Sequence, residues 1–155
     1  MLAALAACSG THSSESYIAH DPCAALAINV IAPTSAERDG IAGAIALWRD
    51  HGVAAFDAAL DAGAATEQTL EIRFEDAAAS FHGVYDPATD RVLINRDLTE
   101  PATLGIVIAH ELGHVFGLAH VAAEARLSLM NPGNLITPPT EDDQRALEEM
   151  WGSCR

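Results

Sequence analysis

Residues His110 to His120 read H-E-L-G-H-V-F-G-L-A-H, three imidazoles and one carboxylate at spacings that suit one metal ion. His110 and His114 are four apart, so on a helix they share a face one turn apart. Zinc binds imidazole nitrogen at about 2.0–2.1 Å, so both rings can reach one ion. Glu111 points about 100° away around the helix. That is a poor direction for ligating the same ion and a good one for reaching a water the ion activates. Gly117 can adopt the left-handed backbone that stops a helix and turns the chain back. His120 can then approach the ion from outside the helix. Three histidines and one open position make a catalytic rather than a structural type of zinc site. The chain holds 7 His and 11 Gly in 155 residues. At that composition the whole pattern arises by chance about once in ten thousand sequences. An ordinary amphipathic helix with two satisfied histidines is the competing explanation, and it is the weaker one.

The eleven residues resemble the metzincin signature H-E-x-x-H-x-x-G-x-x-H of zinc metalloproteases. Ser128-Leu129-Met130-Asn131-Pro132 is similar to the methionine-containing Met-turn of that clan. Thr69–Phe74 and Pro138–Asp143 look like the third strand and the entry to the last helix of its matrixin branch. The resemblance covers roughly residues 24–152 and is concentrated in the histidine region. The chain departs from the matrixin pattern at Val121, where matrixins have Ser, and at Asn131, where they usually have Tyr. The long matrixin loop that carries a second zinc and calcium is not recognisable.

What the resemblance implies is specific. The ligands of a single zinc ion are His110, His114 and His120. Glu111 is the general base, taking a proton from zinc-activated water and passing it to the leaving amine. Met130 packs beneath the ligands. An edge strand over Phe81–Tyr85, with Gly83, Val84 and Tyr85 at its centre, pairs with an extended peptide. Val107, Leu135 and Ile136 frame an apolar pocket for the residue just after the cut. The fold is a zincin-like α+β domain with a small mixed five-stranded sheet, three main helices and a Met-turn. Its domain start lies near the last helix, which implies a Cys23–Cys154 disulfide, with two unrelated thiols as the alternative. Such a bond requires an oxidising compartment.

The elements that must position these groups are legible from periodicity. Ala24–Ile31 reads as a first strand. Thr34-Ser-Ala-Glu37 is a capping box, followed by Ile41, Ala44, Ile45 and Trp48 on one helical face, with Gly52 as the stop. Residues 53–68 are alanine-rich and admit a short strand near Ala54–Phe56. Leu70, Ile72 and Phe74 alternate with Glu71, Arg73 and Glu75, a half-exposed strand. Phe81–Tyr85 and Arg91–Asn95 flank the turn-rich Asp86–Asp90 and read as a hairpin. Thr103–Phe116 is the histidine-bearing helix. Thr140–Trp151 is the last, with Leu147, Met150 and Trp151 inward. This order suits an α+β domain whose small sheet is backed by helices.

Composition bounds the partners. At 155 residues with 50% hydrophobic content, the chain makes one domain with a real core. A net charge of −14 argues against nucleic acid, which is bound through Lys and Arg. Leu5-Ala6-Ala7-Cys8 resembles a bacterial lipobox with Cys8 as the lipidated residue, and residues 1–21 read as leader remnant and polar tether before a domain over 22–155. No basic leader precedes it, and only about six apolar residues do, fewer than a signal needs. Either the true start lies upstream, or Cys8 is an ordinary cysteine. His12, His20 and His51 are read as carrying no site, and His82 as structural or exposed. The expectation is an exported zinc endopeptidase, monomeric, acting on protein or peptide, and membrane-associated only through Cys8. The alternatives are a catalytically inactive zinc-binding surface lipoprotein of the same fold, and a binding lipoprotein in which the motif is fortuitous.

Overall fold

A capped helix, an alternating strand and a hairpin fall where the residue pattern puts them. The computed structural model describes residues 19–56 and 68–154. The lipobox-like segment and Cys8 lie outside the described residues. Strand β1 (Leu26–Val30) leads to helix α1 (Ser35–Arg49). Strands β2 (Gln68–Glu75), β3 (Gly83–Asp86) and β4 (Arg91–Asn95) follow, then helices α2 (Pro101–Val115) and α3 (Glu141–Trp151). Among the described residues the sheet has four strands in the order β1-β2-β4-β3. β1, β2 and β4 run parallel, and β3 pairs antiparallel with β4. The architecture is therefore α+β with three helices and a mixed sheet.

The expected fifth strand is not among the described residues. Residues 55–56 make a turn instead. The Ala54 and Ala55 N–H groups both donate to Pro22 O, and Ala55 O accepts from Leu26 N. Those bonds clamp the segment against the entry to β1, and Ala55 and Phe56 are buried there.

One sheet face is apolar and covered. Leu70 and Ile72 of β2, and Val92 and Ile94 of β4, are fully buried. The opposite face carries Glu71 between Arg73 and Arg91. The Arg73 hydrogen bond, aided by the charge of Arg91, holds the Glu71 carboxyl below its usual range. Between sheet and solvent sits α2, buried over almost its whole length. α1 packs against it so closely that a Cβ on Gly40 would lie 2.6 Å from Leu104 Cγ. Trp48 Nε1 crosses that interface to donate to Ala109 O at 2.8 Å.

Helix ends are chemically closed. Thr34 and Glu37 make the reciprocal capping box read from the sequence, at 3.2 and 2.6 Å. α2 begins at Pro101, two residues before the expected Thr103, because proline suits the first helical position and Glu100 caps it. On α3, Leu147 is buried as expected, but Met150 is half exposed. Trp151 is partly buried, and its Nε1 donates to Phe116 O at 2.9 Å. No helix among the described residues is long and apolar enough to cross a membrane.

The two ends of the domain meet. Cys23 and Cys154 are disulfide-bonded across 131 residues, Cα to Cα 5.0 Å. Ala19–Asp21, read from the sequence as the end of a tether, belong to the folded body: His20 N donates to Val115 O at 2.8 Å. In the chain-entropy account a loop this long stabilises by up to about 5 kcal/mol. Cys23→Ser should therefore lower unfolding free energy by several kcal/mol in denaturant titrations. Reductant should reproduce the loss in the parent and add nothing in the variant.

Candidate metal centre

The three histidines come together as α2 ends. His110 is buried, His114 half-buried and His120 exposed, and their ligand atoms all lie within 4.8 Å of one another. Gly117, at φ +96°, supplies the reversal, with Leu118 N closing on Gly113 O at 2.9 Å. His120 Nε2 then stands 3.2 Å from His110 Nε2 and 3.1 Å from His114 Nε2. Two nitrogens sharing a tetrahedral zinc would stand about 3.3 Å apart.

Ring orientation is fixed from behind. His110 Nδ1 donates to Leu129 O at 2.7 Å, and His114 Nδ1 to Leu118 O at 2.8 Å. With the proton on Nδ1, each Nε2 presents a bare lone pair toward His120. One N–H on His120 cannot satisfy both lone pairs along their axes, whereas one shared cation can. Burial, against the Leu129 hydrogen bond, pulls the His110 pKa down to about 4. Burial also lowers that of His114. Neutral rings are the form that binds metal. The three residues therefore lie close enough to hold one metal ion, and their donor chemistry fits that role.

Glu111 stands outside this ligand group. It is buried, and its Oε2 accepts from the backbone N–H of Tyr85 at 2.8 Å. Burial raises its pKa to about 7, with the Tyr85 N–H opposing the rise. A smaller cavity of about 230 Å³ is lined by Phe81, His82, Val107 and Asn134 among others, and a larger one of about 620 Å³ by Val84, Tyr85 and Leu118 among others. Gly83, Glu111 and His120 line both. β3 is the outer strand of the sheet on this side.

Two residues expected to frame a pocket do not line either cavity. Leu135 packs against the core, and Ile136 is 85% exposed. Asn134 is the cause. Its side chain donates to Leu129 O and Thr137 O and accepts from the N–H groups of Ile136 and Thr137, folding the loop so that Ile136 faces solvent. Val107 does line the smaller cavity. His82, read as structural or exposed, lines it as well.

Met130 is buried beneath α2. Its Sδ would lie 2.5 Å from a Cβ on Gly113, so a side chain at that position would force Met130 to shift. The turn around Met130 hangs on two side chains. Asn131 accepts from Ser128 N and donates to Val121 O and Arg126 O, tying the turn to the chain just past His120. Asp143, 1% exposed, accepts from Ser128 Oγ, Leu129 N, and both the N–H and hydroxyl of Thr140. One carboxylate thus caps α3 and holds the residue whose carbonyl aims His110. The T-x-x-D spacing of Thr140 and Asp143 signals the cap; nothing local signals the bond to Leu129.

No family model matches this chain, and no curated protein matches it.

Asp143→Ala strands several buried donors, each costing about 1–3 kcal/mol. We expect a loss of stability of at least about 2 kcal/mol in denaturant titration. Metal affinity by calorimetry should fall about 10- to 100-fold, as for other groups that orient a ligand. Asp143→Asn, which keeps one acceptor oxygen, should lose less of both.

Proposed function

We propose that the chain is a zinc-dependent endopeptidase of metzincin type, exported from the cell. The observation that carries this reading is the convergence of three imidazole nitrogens, two of them oriented by main-chain carbonyls, beside a buried carboxylate and two cavities along an edge strand. Convergence alone would suit any metal site. The carboxylate outside the ligand group, one residue along from His110, suits hydrolysis in particular.

His110, His114 and His120 would hold the ion through Nε2. A bound zinc ion polarises a carbonyl and lowers the pKa of water at neutral pH. The chain supplies the rest. Glu111 takes a proton from the attacking water and delivers it to the leaving amine, so its carboxylate ends the cycle as it began. The Tyr85 N–H fixes one of its oxygens and so its orientation. The edge of β3 would align an extended peptide by main-chain hydrogen bonds, with side chains either side of the cut entering the two cavities. The turn carrying Met130 would serve as the Met-turn, a packed floor rather than a ligand. The Cys23–Cys154 bond supports an oxidising compartment; attachment through Cys8 would place the protein at the cell envelope.

The test is metal analysis and peptide hydrolysis on five proteins: the parent, three His→Ala variants at 110, 114 and 120, and Glu111→Ala. One zinc per chain is expected in the parent, with each histidine variant losing it. Glu111→Ala should keep zinc and lose about 10²- to 10⁴-fold in kcat. A zinc-loaded parent that cleaves no peptide, or full turnover in Glu111→Ala, would overturn the proposal.

Cavity lining gives a sharper expectation on specificity. Phe81→Ala removes a wall of the smaller cavity and should shift preference toward bulkier side chains by about 1–3 kcal/mol. Ile136→Ala should leave preference unchanged. Profiling both on one peptide library with the parent decides between this cavity and the loop as the specificity element.

A further inference from the structure

Away from the three clustered histidines, a set of buried and half-buried polar groups joins the N-terminal segment to the β3–β4 hairpin. His20 is 6% exposed. Its Nε2 donates to both carboxylate oxygens of Asp90, at 2.8 and 2.9 Å. Its Nδ1 lies 3.2 Å from Gln68 Oε1, which also accepts from Asp21 N. Gln68 in turn donates to Ala24 O, so β2 grips the segment on both sides of Cys23. The backbone of the same histidine is anchored elsewhere: His20 N donates to Val115 O, the last residue of α2. Ala19 Cβ lies 3.4 Å from where a Cβ on Gly117 would stand. One residue therefore holds the end of α2 with its main chain and the tip of the hairpin with its side chain.

The grip continues to the centre. Tyr85 OH donates to Asp90 Oδ1 at 3.0 Å. Burial, reinforced by Asp90, raises the phenol pKa well above the usual tyrosine value, so it remains a donor. The backbone N–H of that same Tyr85 holds Glu111 Oε2. Asp90 makes these bonds from φ +52°, a conformation uncommon outside glycine. β3 itself is four residues long and, among the described residues, has a sheet neighbour on one side only. Short edge strands open locally unless something ties them down.

We infer that His20 is a positioning residue for Glu111: through Asp90 and Tyr85 it braces β3 against α2, at the point where a β3 backbone N–H meets the α2 carboxylate. This rests on the reading of Glu111 as general base. Without the brace β3 and α2 drift apart, the Tyr85–Glu111 bond lengthens, and the carboxylate loses its set direction. A misplacement of about 1 Å at a reacting group costs up to about 100-fold in rate. The substrate would still pair with β3 itself and the metal with the histidines, so losing the brace removes neither contact. The loss should therefore fall on kcat rather than on KM or metal content.

The experiment has two arms. In metal-free protein, amide hydrogen exchange by NMR should show the Tyr85 N–H exchanging about tenfold faster or more in His20→Ala than in the parent. The Arg96 N–H, which donates to Glu75 O at 2.9 Å on the far side of β4, should keep its protection. In zinc-loaded protein assayed on a fluorogenic peptide library, His20→Ala should lower kcat about tenfold, with KM within about twofold and one zinc retained. His20→Gln, whose amide can still donate to Asp90, should restore most of both. Should His20→Ala fail to fold, Tyr85→Phe cuts the same connection at the phenol, keeps the backbone N–H, and should move both readouts the same way. Unchanged Tyr85 protection overturns the inference, as does faster exchange with parental kcat. An inactive zinc-loaded parent instead overturns the peptidase reading, and the exchange arm alone then decides the brace.

Discussion

The carbonyl oxygen of Leu129 sets the direction in which His110 presents its lone pair, and much of the domain is arranged to hold that oxygen still. It accepts from His110 Nδ1 on one side and from Asn134 Nδ2 on the other. The peptide N–H of the same residue is held by Asp143, the N3 residue of α3. The carboxylate that starts the last helix thus fixes the ring at the centre of the site. An imidazole without such a partner can rotate or carry its proton on the other nitrogen, and either change removes a lone pair from the convergence.

The same logic explains why α2 is so deeply buried. Of its fifteen residues, eleven are buried, including His110 and Glu111, each of which has one side-chain atom bonded to main chain. Met130, pressed into the space beside Gly113, closes the underside. Trp48 closes the α1 side through its bond to Ala109 O. From Leu104 to Val115 every residue but His114 is buried. The two x positions inside H-E-x-x-H are accordingly packing positions: Leu112 is fully buried in the core, and Gly113 makes room for a thioether.

Much of this was legible in the residues, and the parts that were not share a cause. His110, Glu111, His114, Gly117 and His120 sit within eleven residues, so local helix geometry alone predicts their meeting. The Thr34–Glu37 cap and the alternation of β2 are equally local. Ile136 was expected in a pocket wall because it is apolar and sits near the site in sequence. Four hydrogen bonds from the Asn134 side chain turn it outward, and hydropathy does not see them. His20 read as part of a tail because its partners, Gln68, Asp90 and Val115, are 48 to 95 residues away. Asp143 read only as part of the entry to the last helix, and its bond to Leu129 lay fourteen residues away. Groups whose partners are near in sequence declare themselves; groups whose work is to join distant segments do so only once the chain is folded.

The polar atoms of the site follow a common accounting. His110, His114 and Glu111 each have one atom bonded to main chain: Nδ1 to Leu129 O, Nδ1 to Leu118 O, and Oε2 to Tyr85 N. Leaving a buried donor or acceptor without a partner costs about 1–3 kcal/mol. A domain selected for stability alone would fill such positions with leucine, as α2 does at Leu104 and Leu112. Here the bonded atom of each group fixes its geometry, and both histidines turn the other nitrogen toward His120, close enough together to hold one metal ion. Burial depresses the proton affinity of the two rings and raises that of the carboxylate between them in sequence. Burial thus keeps the two rings in the neutral form that can bind a metal, while it favours the protonated form of the carboxyl beside them.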